Sequence, residues 1–296
     1  MTRVLAAERV EVALDAHAEV GEGPVWDATS GELVWVDIPR HLVHRLHPGS
    51  GRVESFDAGQ PVSAVALRSA GGLVLALRDG FGLLDRQTGD LQLACAVERE
   101  QTANRMNDGK CDSTGRFWAG TMALDMSPGA GALYRLGTDL EVVQVLRPVS
   151  VSNGLAWSRD DRTMYFIDST TNGVDAFDYT PGSGRIGNRR RLIAVAPDDG
   201  LPDGMTVDAE GFLWVALWDG WAVRRYAPDG TLDLVVQLPT AQITSCAFGG
   251  ETLDELYVTS ASGGLAEQAR HDQPHAGAIF QVRTGVEGLP PQEFAG

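Results

Sequence analysis

The feature that most constrains this chain is a strand-like apolar run that occurs six times, usually after a turn. The six runs are rich in the β-branched and aromatic residues that favour strands, and they lie at residues 33–36, 73–77, 117–119, 164–167, 212–215 and 256–258. A second run follows each of them, at residues 42–46, 82–84, 133–136, 174–179, 223–226 and 279–282. Helical periodicity is nearly absent. The pattern predicts an all-β protein built from repeated units.

The spacing of these units indicates one fold in particular. Turn sequences such as PGSG at 181–184 and PDG at 228–230 follow the second runs, and glycine accounts for 35 of the 296 residues, as many tight turns require. Counting the strand before each first run gives four strands per unit at a period of roughly 40 to 50 residues, which is typical of propeller blades. An irregular β-sandwich is the alternative, but nothing in a sandwich requires six repeats. We therefore predict a six-bladed β-propeller with four antiparallel strands per blade.

The sixth unit lacks an outer strand, because little sequence follows Gly285. An apolar run near the other end of the chain, residues 10–14, could pair there and close the ring. The length would also allow two average domains. We interpret residues 1–296 as a single propeller domain.

Charge and cysteine content restrict the possible partners. Lys and Arg total 24 against 40 Asp and Glu, so the net charge is −16, and nucleic acid or an anionic membrane would repel such a surface. Residues 1–14 do not resemble a secretory signal, and no apolar run is long enough to cross a bilayer. Three cysteines without a C-x-x-C pair indicate reduced, buried thiols in a cytoplasmic protein. We expect neither nucleic acid nor membrane as a partner, and a monomer or weak homo-oligomer.

The first strand of each unit has a polar residue at an equivalent position, five residues ahead of the turn residue in four units and at roughly the same place in the two that contain Ser63 and Thr244. The six ring positions are Glu22, Ser63, Asn107, Asn153, Asp203 and Thr244. Because the first strand of every blade lines the channel of a propeller, equivalent positions form one ring. Asn-Gly and Asp-Gly are also common turn dipeptides, but their recurrence at one phase of the repeat argues against coincidence.

Carboxylates crowded at a channel mouth repel one another and lose solvation. A hard divalent cation would offset that cost, because carboxylate and amide oxygens are its preferred ligands. We therefore predict one divalent metal ion in the central channel. An oxygen-only site accepts calcium, magnesium, manganese, zinc or ferrous iron, so the metal's identity stays open.

The same residues lie in motifs that resemble those of the SMP-30/gluconolactonase/regucalcin-like family, which includes bacterial sugar lactonases. The motifs occur in family order at residues 21–26 (GEGPVW), 104–110 (NRMNDGK), 119–122 (AGTM), 152–157 (SNGLAW), 174–179 (VDAFDY), 202–205 (PDGM) and 244–246 (TSC). The resemblance covers nearly the whole chain. It implies a six-bladed propeller, in agreement with the repeat count.

Residue by residue, the resemblance implies a metal site and a set of substrate-binding residues. The implied metal ligands are Glu22, Asn153 and Asp203. The implied contacts to sugar hydroxyls and lactone oxygens are Arg105 and Asn107, and also Asp125, which falls where the family often has a substrate-contacting acid; Leu124 stands where relatives often have a second acid.

The implied reaction is hydrolysis of a sugar lactone, an aldonolactone, to the aldonic acid. A metal ion would polarise the lactone carbonyl, and Asp203 would act as the general base for the attacking water. Attack by a hydroxide on the metal is the alternative. The sequence has no G-x-S-x-G motif for a serine nucleophile.

Two other functions stay open at this stage. One is hydrolysis of phosphotriesters or other lactones on the same scaffold, and the other is a non-catalytic calcium-binding propeller. Arg105 and Asn107 favour the lactonase over the non-catalytic protein, since a structural ion needs no polyol-binding arm. The sequence does not distinguish five-membered from six-membered lactones.

Overall fold

Six β-sheets form the blades of a propeller in the computed structural model, which describes residues 2–296. Each blade has four strands whose consecutive members are antiparallel. The innermost strand of each blade contacts the innermost strand of the next, and the last contacts the first, so the six strands surround a central channel. The predicted six-bladed propeller with four antiparallel strands per blade is confirmed.

The strands are numbered along the chain. Two short strands come first: β1 Arg3–Leu5 and β2 Glu11–Leu14. Blade 1 contains β3 Gly21–Asp27, β4 Glu32–Asp37, β5 Leu42–His47 and β6 Arg52–Asp57. Blade 2 contains β7 Val62–Leu67, β8 Leu73–Leu77, β9 Gly80–Leu84 and β10 Leu91–Ala96. Blade 3 contains β11 Asn104–Cys111, β12 Phe117–Ala123, β13 Gly131–Leu136 and β14 Val142–Val149.

The second half of the chain continues in the same order. Blade 4 contains β15 Ser152–Trp157, β16 Thr163–Asp168, β17 Gly173–Thr180 and β18 Arg185–Ala194. Blade 5 contains β19 Leu201–Val207, β20 Leu213–Trp218, β21 Ala222–Tyr226 and β22 Leu232–Gln237. Blade 6 contains β23 Ile243–Gly249, β24 Glu255–Ser260 and β25 Ile279–Arg283. Helical segments are limited to α1 Glu267–Asp272 and three 3₁₀ turns, at Ala7–Arg9, Ser169–Thr171 and Pro197–Asp199.

The inner two strands of each blade are buried on both faces because neighbouring blades cover them. Every residue of β7, β8 and β12 is buried, whereas the outer strand β18 is largely exposed. Apolar clusters fill the spaces between blades. One of them joins blades 2 and 3 around Phe81 and Phe117, whose rings meet edge to face at 5.8 Å.

Buried aspartates stabilise the turn between the first and second strands by hydrogen bonds in two blades. Asp112 accepts a hydrogen bond from the Trp118 indole at 2.7 Å, and Asp208 accepts one from Trp214 at 2.8 Å. In each case the aspartate lies six residues before the tryptophan. Both aspartates also cap the backbone of their own turn, which fixes the depth at which the inner strand enters the channel.

The two N-terminal strands belong to different blades. β2 pairs antiparallel with β25 and occupies the outer position of blade 6, over Glu11–Leu14 where the sequence indicated residues 10–14. β1 pairs parallel with β22 and adds a fifth strand to blade 5. Nothing in the repeat pattern predicted this strand, because it is three residues long and mostly exposed.

The C-terminal residues 286–296 cross the end of the channel where the inner strands finish. Gly288 bridges to Asp208 of blade 5, and Phe294 bridges to Arg68 of blade 2. The Phe294 ring is fully buried in the cluster between blades 2 and 3. The tail is therefore packed into the propeller at both of its ends.

Two smaller sequence-based expectations concern membranes and thiols. No helix within residues 2–296 is long and apolar enough to cross a membrane. The three cysteines are free thiols, as expected; Cys111 and Cys246 are buried, but Cys95 is only half-buried because it lies on the outer strand β10.

Candidate active site

A register shift interrupts the pairing of the inner strand with the second strand in all six blades, and it falls at the ring position each time. The shifts lie at Glu22/Val25, Val62/Ala64, Met106/Gly109, Ser152/Leu155, Pro202/Met205 and Ile243/Ser245. Such bulges release a residue from regular pairing and change the direction of its side chain. The six ring residues therefore occupy equivalent, irregular positions near the start of each inner strand.

The ring residues differ in what their side chains bind. Ser63 Oγ donates to Ala76 O at 3.2 Å, and Thr244 Oγ1 donates to Gly21 O at 2.5 Å. These two hydroxyls are used within the framework. Asn107 uses each amide atom once, because its Nδ2 donates to Ser152 O at 2.7 Å and its Oδ1 accepts from Arg105 at 2.6 Å, and its second amide hydrogen stays available to a ligand.

Glu22 lies on β3 beside Gly23, and its side chain is buried. Its Oε2 accepts a hydrogen bond from the Gly23 N–H at 2.8 Å. Gly23 has a φ of +57°, a conformation that favours glycine, so the glycine in this motif allows the backbone to turn toward the carboxylate. Burial, together with the charges of Asp203 and Asp108, raises the pKa of Glu22 well above its ordinary value.

Asn153 has one engaged and one free amide atom. Its Nδ2 donates to Ser169 Oγ at 3.0 Å, whereas its Oδ1 is buried without any hydrogen-bond partner. Ser169 belongs to the 3₁₀ turn after β16, and its Oγ donates in turn to Pro202 O at 2.7 Å. A buried carbonyl oxygen without a partner costs free energy of about 1–3 kcal/mol, so it indicates a missing ligand.

Asp203 lies on β19, buried between Pro202 and Gly204. Burial and the charge of Asp108 raise its pKa well above the ordinary value, while the nearby Asn153 amide and Arg105 oppose the shift. Neither Asp203 nor Glu22 forms an ion pair with any residue in the range 2–296. Two buried carboxylates thus lie close enough to influence each other's protonation with no direct cationic partner from the chain.

Arg105 reaches this cluster from β11. Its Nη1 donates to Met106 O at 2.9 Å and to Asn107 Oδ1 at 2.6 Å. Burial lowers the pKa of Arg105 to about 10, and the charges of Glu22 and Asp203 act in the opposite direction. The guanidinium therefore stays charged at neutral pH, and its remaining N–H groups are free to bind a ligand oxygen.

Asp125 lies outside this cluster. It follows the end of β12 in an exposed turn, where its Oδ1 accepts hydrogen bonds from Ser127 N at 2.9 Å and Ser127 Oγ at 2.7 Å. These bonds lower the pKa of Asp125. The turn is at the same end of the propeller as Arg105, since Leu124 N bonds to Ala103 O, but the structure does not bring Asp125 to the metal-ligand candidates. Its contact with substrate stays a prediction.

Asp108 is a third buried carboxylate, next to the ring residue Asn107. It raises the pKa values of Glu22 and Asp203, and its own pKa is raised by burial. Lys110 lies near it and donates from Nζ to Met205 O at 2.6 Å. The bulge after Met106 turns Asp108 into the channel, and the residue pattern contains no signal for that change of direction.

The donor set fits a divalent cation. Glu22, Asn153 and Asp203 supply two carboxylates and one carboxamide, and the unpaired Asn153 Oδ1 is the oxygen that a cation would use. No group of three His, Cys, Asp or Glu side chains in metal-binding arrangement occurs between residues 2 and 296. The candidate set differs from such a group because one of its three members is an amide.

Comparisons with known proteins place the chain in a family. A family model described as SMP-30/Gluconolactonase/LRE-like region matches residues 20–262. Regucalcin from Gallus gallus is 41% identical over 299 residues, which cover 99% of this chain and 100% of that protein.

Two solved structures share the architecture over nearly their whole lengths. A regucalcin from Agrobacterium tumefaciens, described as a calcium-binding protein, has a TM-score of 0.95 at 31% identity, with 99% of each chain covered. A luciferin-regenerating enzyme has a TM-score of 0.91 at 33% identity, with 97% of this chain and 99% of that chain covered. The resemblance predicted from the motifs is confirmed, and the chain belongs to the SMP-30/gluconolactonase/LRE-like family.

Proposed function

We propose that this protein is a metal-dependent hydrolase of a sugar lactone, acting on an aldonolactone and releasing the aldonic acid. The observation that carries the proposal is the unpaired, buried Asn153 Oδ1 beside the buried carboxylates of Glu22 and Asp203. A charged arginine with free N–H groups faces the same carboxylates. Family membership supports the same reaction class.

Three side chains of this chain would hold the ion. Glu22 and Asp203 contribute negative charge, and Asn153 contributes the carbonyl oxygen that Ser169 keeps free. When bound, a divalent cation would act as a Lewis acid on the lactone carbonyl and stabilise the charge that develops on its oxygen. The residues present suit calcium, magnesium, manganese, zinc or ferrous iron.

Arg105, Asn107 and Asp203 would act on the substrate directly. Arg105 would bind and orient lactone and hydroxyl oxygens through its free N–H groups, and Asn107 holds the guanidinium in place through a 2.6 Å hydrogen bond. Asp203 would accept the proton of the attacking water, because a carboxylate at the ion can act as a general base for a neighbouring water. The ring then opens as the ester bond breaks, and the former ring oxygen takes up a proton.

The test is a hydrolysis screen with a pH indicator over a panel of five- and six-membered aldonolactones. The protein is first depleted of metal by chelation, and each divalent cation is then added back. We expect hydrolysis that falls to the uncatalysed rate after chelation and returns with at least one cation. Metal binding without hydrolysis of any lactone would contradict the proposal and favour a non-catalytic calcium-binding protein.

A further inference from the structure

A cavity of about 440 Å³ occupies the channel beyond the ring of candidate metal ligands. Its lining residues follow the ring positions along each inner strand, so the cavity lies toward the opposite end of the propeller. Glu22, Asn153, Asp203 and Arg105 do not line it. The volume is within the range of small-molecule sites, about 300–1,000 Å³.

Part of the wall of this cavity is aromatic and held in place by packing. Trp26, Trp157 and Phe248 line it. Trp26 stacks on Tyr257 with ring centroids 5.6 Å apart, and Phe248 meets Trp214 edge to face at 5.5 Å. Because these contacts already fix the rings, a ligand would not have to order them, and preformed walls of this kind favour a planar ligand.

The inner part of the cavity presents a buried acceptor, Asp108, and a half-buried donor, Lys110, and each can form further hydrogen bonds. Asp108 uses Oδ1 to accept from Gly109 N at 2.6 Å, and Lys110 uses Nζ to donate to Met205 O at 2.6 Å. The two side chains form no direct ion pair, although each influences the other's charge. One carboxylate oxygen and two ammonium hydrogens thus have no partner within residues 2–296.

Trp157 contributes its ring to the cavity and not its nitrogen. The ring meets Trp118 edge to face at 5.8 Å, and the indole nitrogen is enclosed by the protein. The proposed lactonase reaction uses none of Asp108, Lys110 and Trp157.

The tail forms part of the outer rim. Residues 289–292 line the cavity there together with Ser113 and Arg159. Ser113 and Gln292 are exposed, so the cavity has access to solvent on this side. A ligand would reach it from the end opposite to the candidate active site.

We propose that this cavity is a second small-molecule site that binds a planar heteroaromatic lactam through Asp108, Lys110 and the aromatic walls. The cis-amide edge of such a ring has an N–H donor beside a C=O acceptor. The N–H bonds to the free oxygen of Asp108, and the C=O accepts from Lys110. The ring lies against Trp26, Trp157 and Phe248.

The arrangement disfavours other ligand classes. A simple anion would be attracted by Lys110 but repelled by Asp108, and a simple cation would meet the reverse problem. A saturated sugar lacks the N–H donor beside a C=O acceptor that would match Asp108 and Lys110 together. Water alone could satisfy the polar end, and in that case the site would bind no lactam.

The experiment uses 2-quinolinone as the probe and 1-methyl-2-quinolinone as its matched control. Each is titrated by calorimetry into the full-length, metal-loaded protein. We expect saturable one-to-one binding of 2-quinolinone. The methylated compound should bind at least tenfold more weakly, because methylation removes the N–H group that donates a hydrogen bond to Asp108. No binding of 2-quinolinone, or equal affinity for both compounds, would overturn the proposal.

Three variants locate the bound probe. Ala247→Phe fills the cavity without touching Asp108 or Lys110, and Lys110→Met removes the donor at nearly constant volume; each should weaken binding at least tenfold. Arg105→Ala, at the other end of the channel, should leave binding unchanged. Thermal melts identify any variant that fails to fold. If Lys110→Met fails to fold, the binding of the probe to Ala247→Phe and the binding of the methylated probe to wild type still test the proposal. Binding lost in Arg105→Ala but retained in Ala247→Phe would place the probe in the candidate active site and overturn the proposal.

Discussion

Ser169 holds the Asn153 amide by a 3.0 Å hydrogen bond from Nδ2, and this bond decides which amide atom stays free. The same hydroxyl donates at 2.7 Å to the carbonyl of Pro202, one residue before Asp203. A single serine therefore positions one candidate metal ligand and the backbone next to another. Partners of this kind orient metal ligands and tune their affinity.

Ser169→Ala should weaken metal binding by about 10- to 100-fold while leaving all three proposed ligands in the chain. The amide of Asn153 would lose its fixed orientation, and Oδ1 would no longer be presented to the ion. Titration of the metal-depleted protein with calcium or zinc, followed by calorimetry, measures the change. Thr170→Ala is the matched control, because Thr170 lies on the same turn but bonds to Asp168. Equal metal affinity in Ser169→Ala and wild type would show that Asn153 does not depend on this contact.

The sequence predicted the ring but not the contacts that support it. Glu22, Asn153 and Asp203 belong to the ring because strands repeat with a regular period, and equivalent positions must then meet at the axis; the family resemblance singles them out as ligands. Ser169 follows the second strand of its blade, in the turn before the third strand. Which of its neighbours a turn residue touches depends on three-dimensional packing, and a period along the chain contains no such information.

The limits of sequence reasoning are clear at β1, whereas the role of Asp125 stays a prediction. The motif implies that Asp125 contacts substrate, and in the structure its Oδ1 accepts two hydrogen bonds from Ser127 in its own turn. β1 was missed because three mostly exposed residues give no periodic signal. Local geometry decides which neighbour a side chain such as Asp125 bonds to. It also decides whether a strand as short as β1 pairs at the edge of a sheet.

Arg105→Ala should reduce kcat/KM for lactone hydrolysis by roughly 10- to 100-fold, the equivalent of one charged hydrogen bond of about 1.5–3 kcal/mol. Metal content should be retained, because the residue contacts Met106 and Asn107 but is not among the proposed ligands. Steady-state kinetics and metal analysis of the same preparation test both statements. Arg99→Ala changes an exposed arginine near the same mouth and should have no effect. Loss of metal in Arg105→Ala would show that Arg105 supports metal binding and would contradict its assignment to the substrate.

Metal should stabilise the protein more at pH 7.5 than at pH 5.5. In the metal-free protein the pKa values of Glu22 and Asp203 are raised above their unfolded-state values. Their contribution to stability is therefore present below the unfolded pKa and is lost as the pH rises through the folded pKa. A cation must displace the protons that these groups hold, so its effect is smaller in acid. Thermal melts with and without calcium or zinc at the two pH values measure the difference.

Asp125→Asn is the control for this pH effect, since it removes an exposed carboxylate outside the cluster. It should show the same pH-dependent stabilisation by metal as wild type. An equal rise in melting temperature at both pH values in the wild type would contradict the assignment of Glu22 and Asp203 as ligands.

A protein that lacks residues 1–15 should melt at least about 5 °C lower and lose solubility. Removing β2 exposes the edge of β25, and removing β1 exposes β22. A shorter deletion of residues 2–6 removes β1 alone and should cost less, because its three-residue pairing is largely exposed. Calorimetric melts of the two truncations against full-length protein make the comparison. A truncation to residue 16 that melts like the intact chain would show that β2 does not stabilise blade 6.

Asp203→Asn and Glu22→Gln separate the two roles proposed for Asp203. Each substitution keeps an oxygen ligand of similar size and removes one negative charge, but only Asp203 is proposed to accept a proton from water. In Glu22→Gln, excess metal should recover a good part of the lactonase activity, because saturation compensates for weaker binding. In Asp203→Asn, activity should stay at least about 100-fold below wild type at metal saturation, within the range expected for loss of a general base. The measurement is hydrolysis rate against metal concentration for both variants, with metal occupancy determined at each point. Equal recovery of the two variants would mean that Asp203 acts as a ligand alone, and the proton acceptor would then have to be sought elsewhere in the channel mouth.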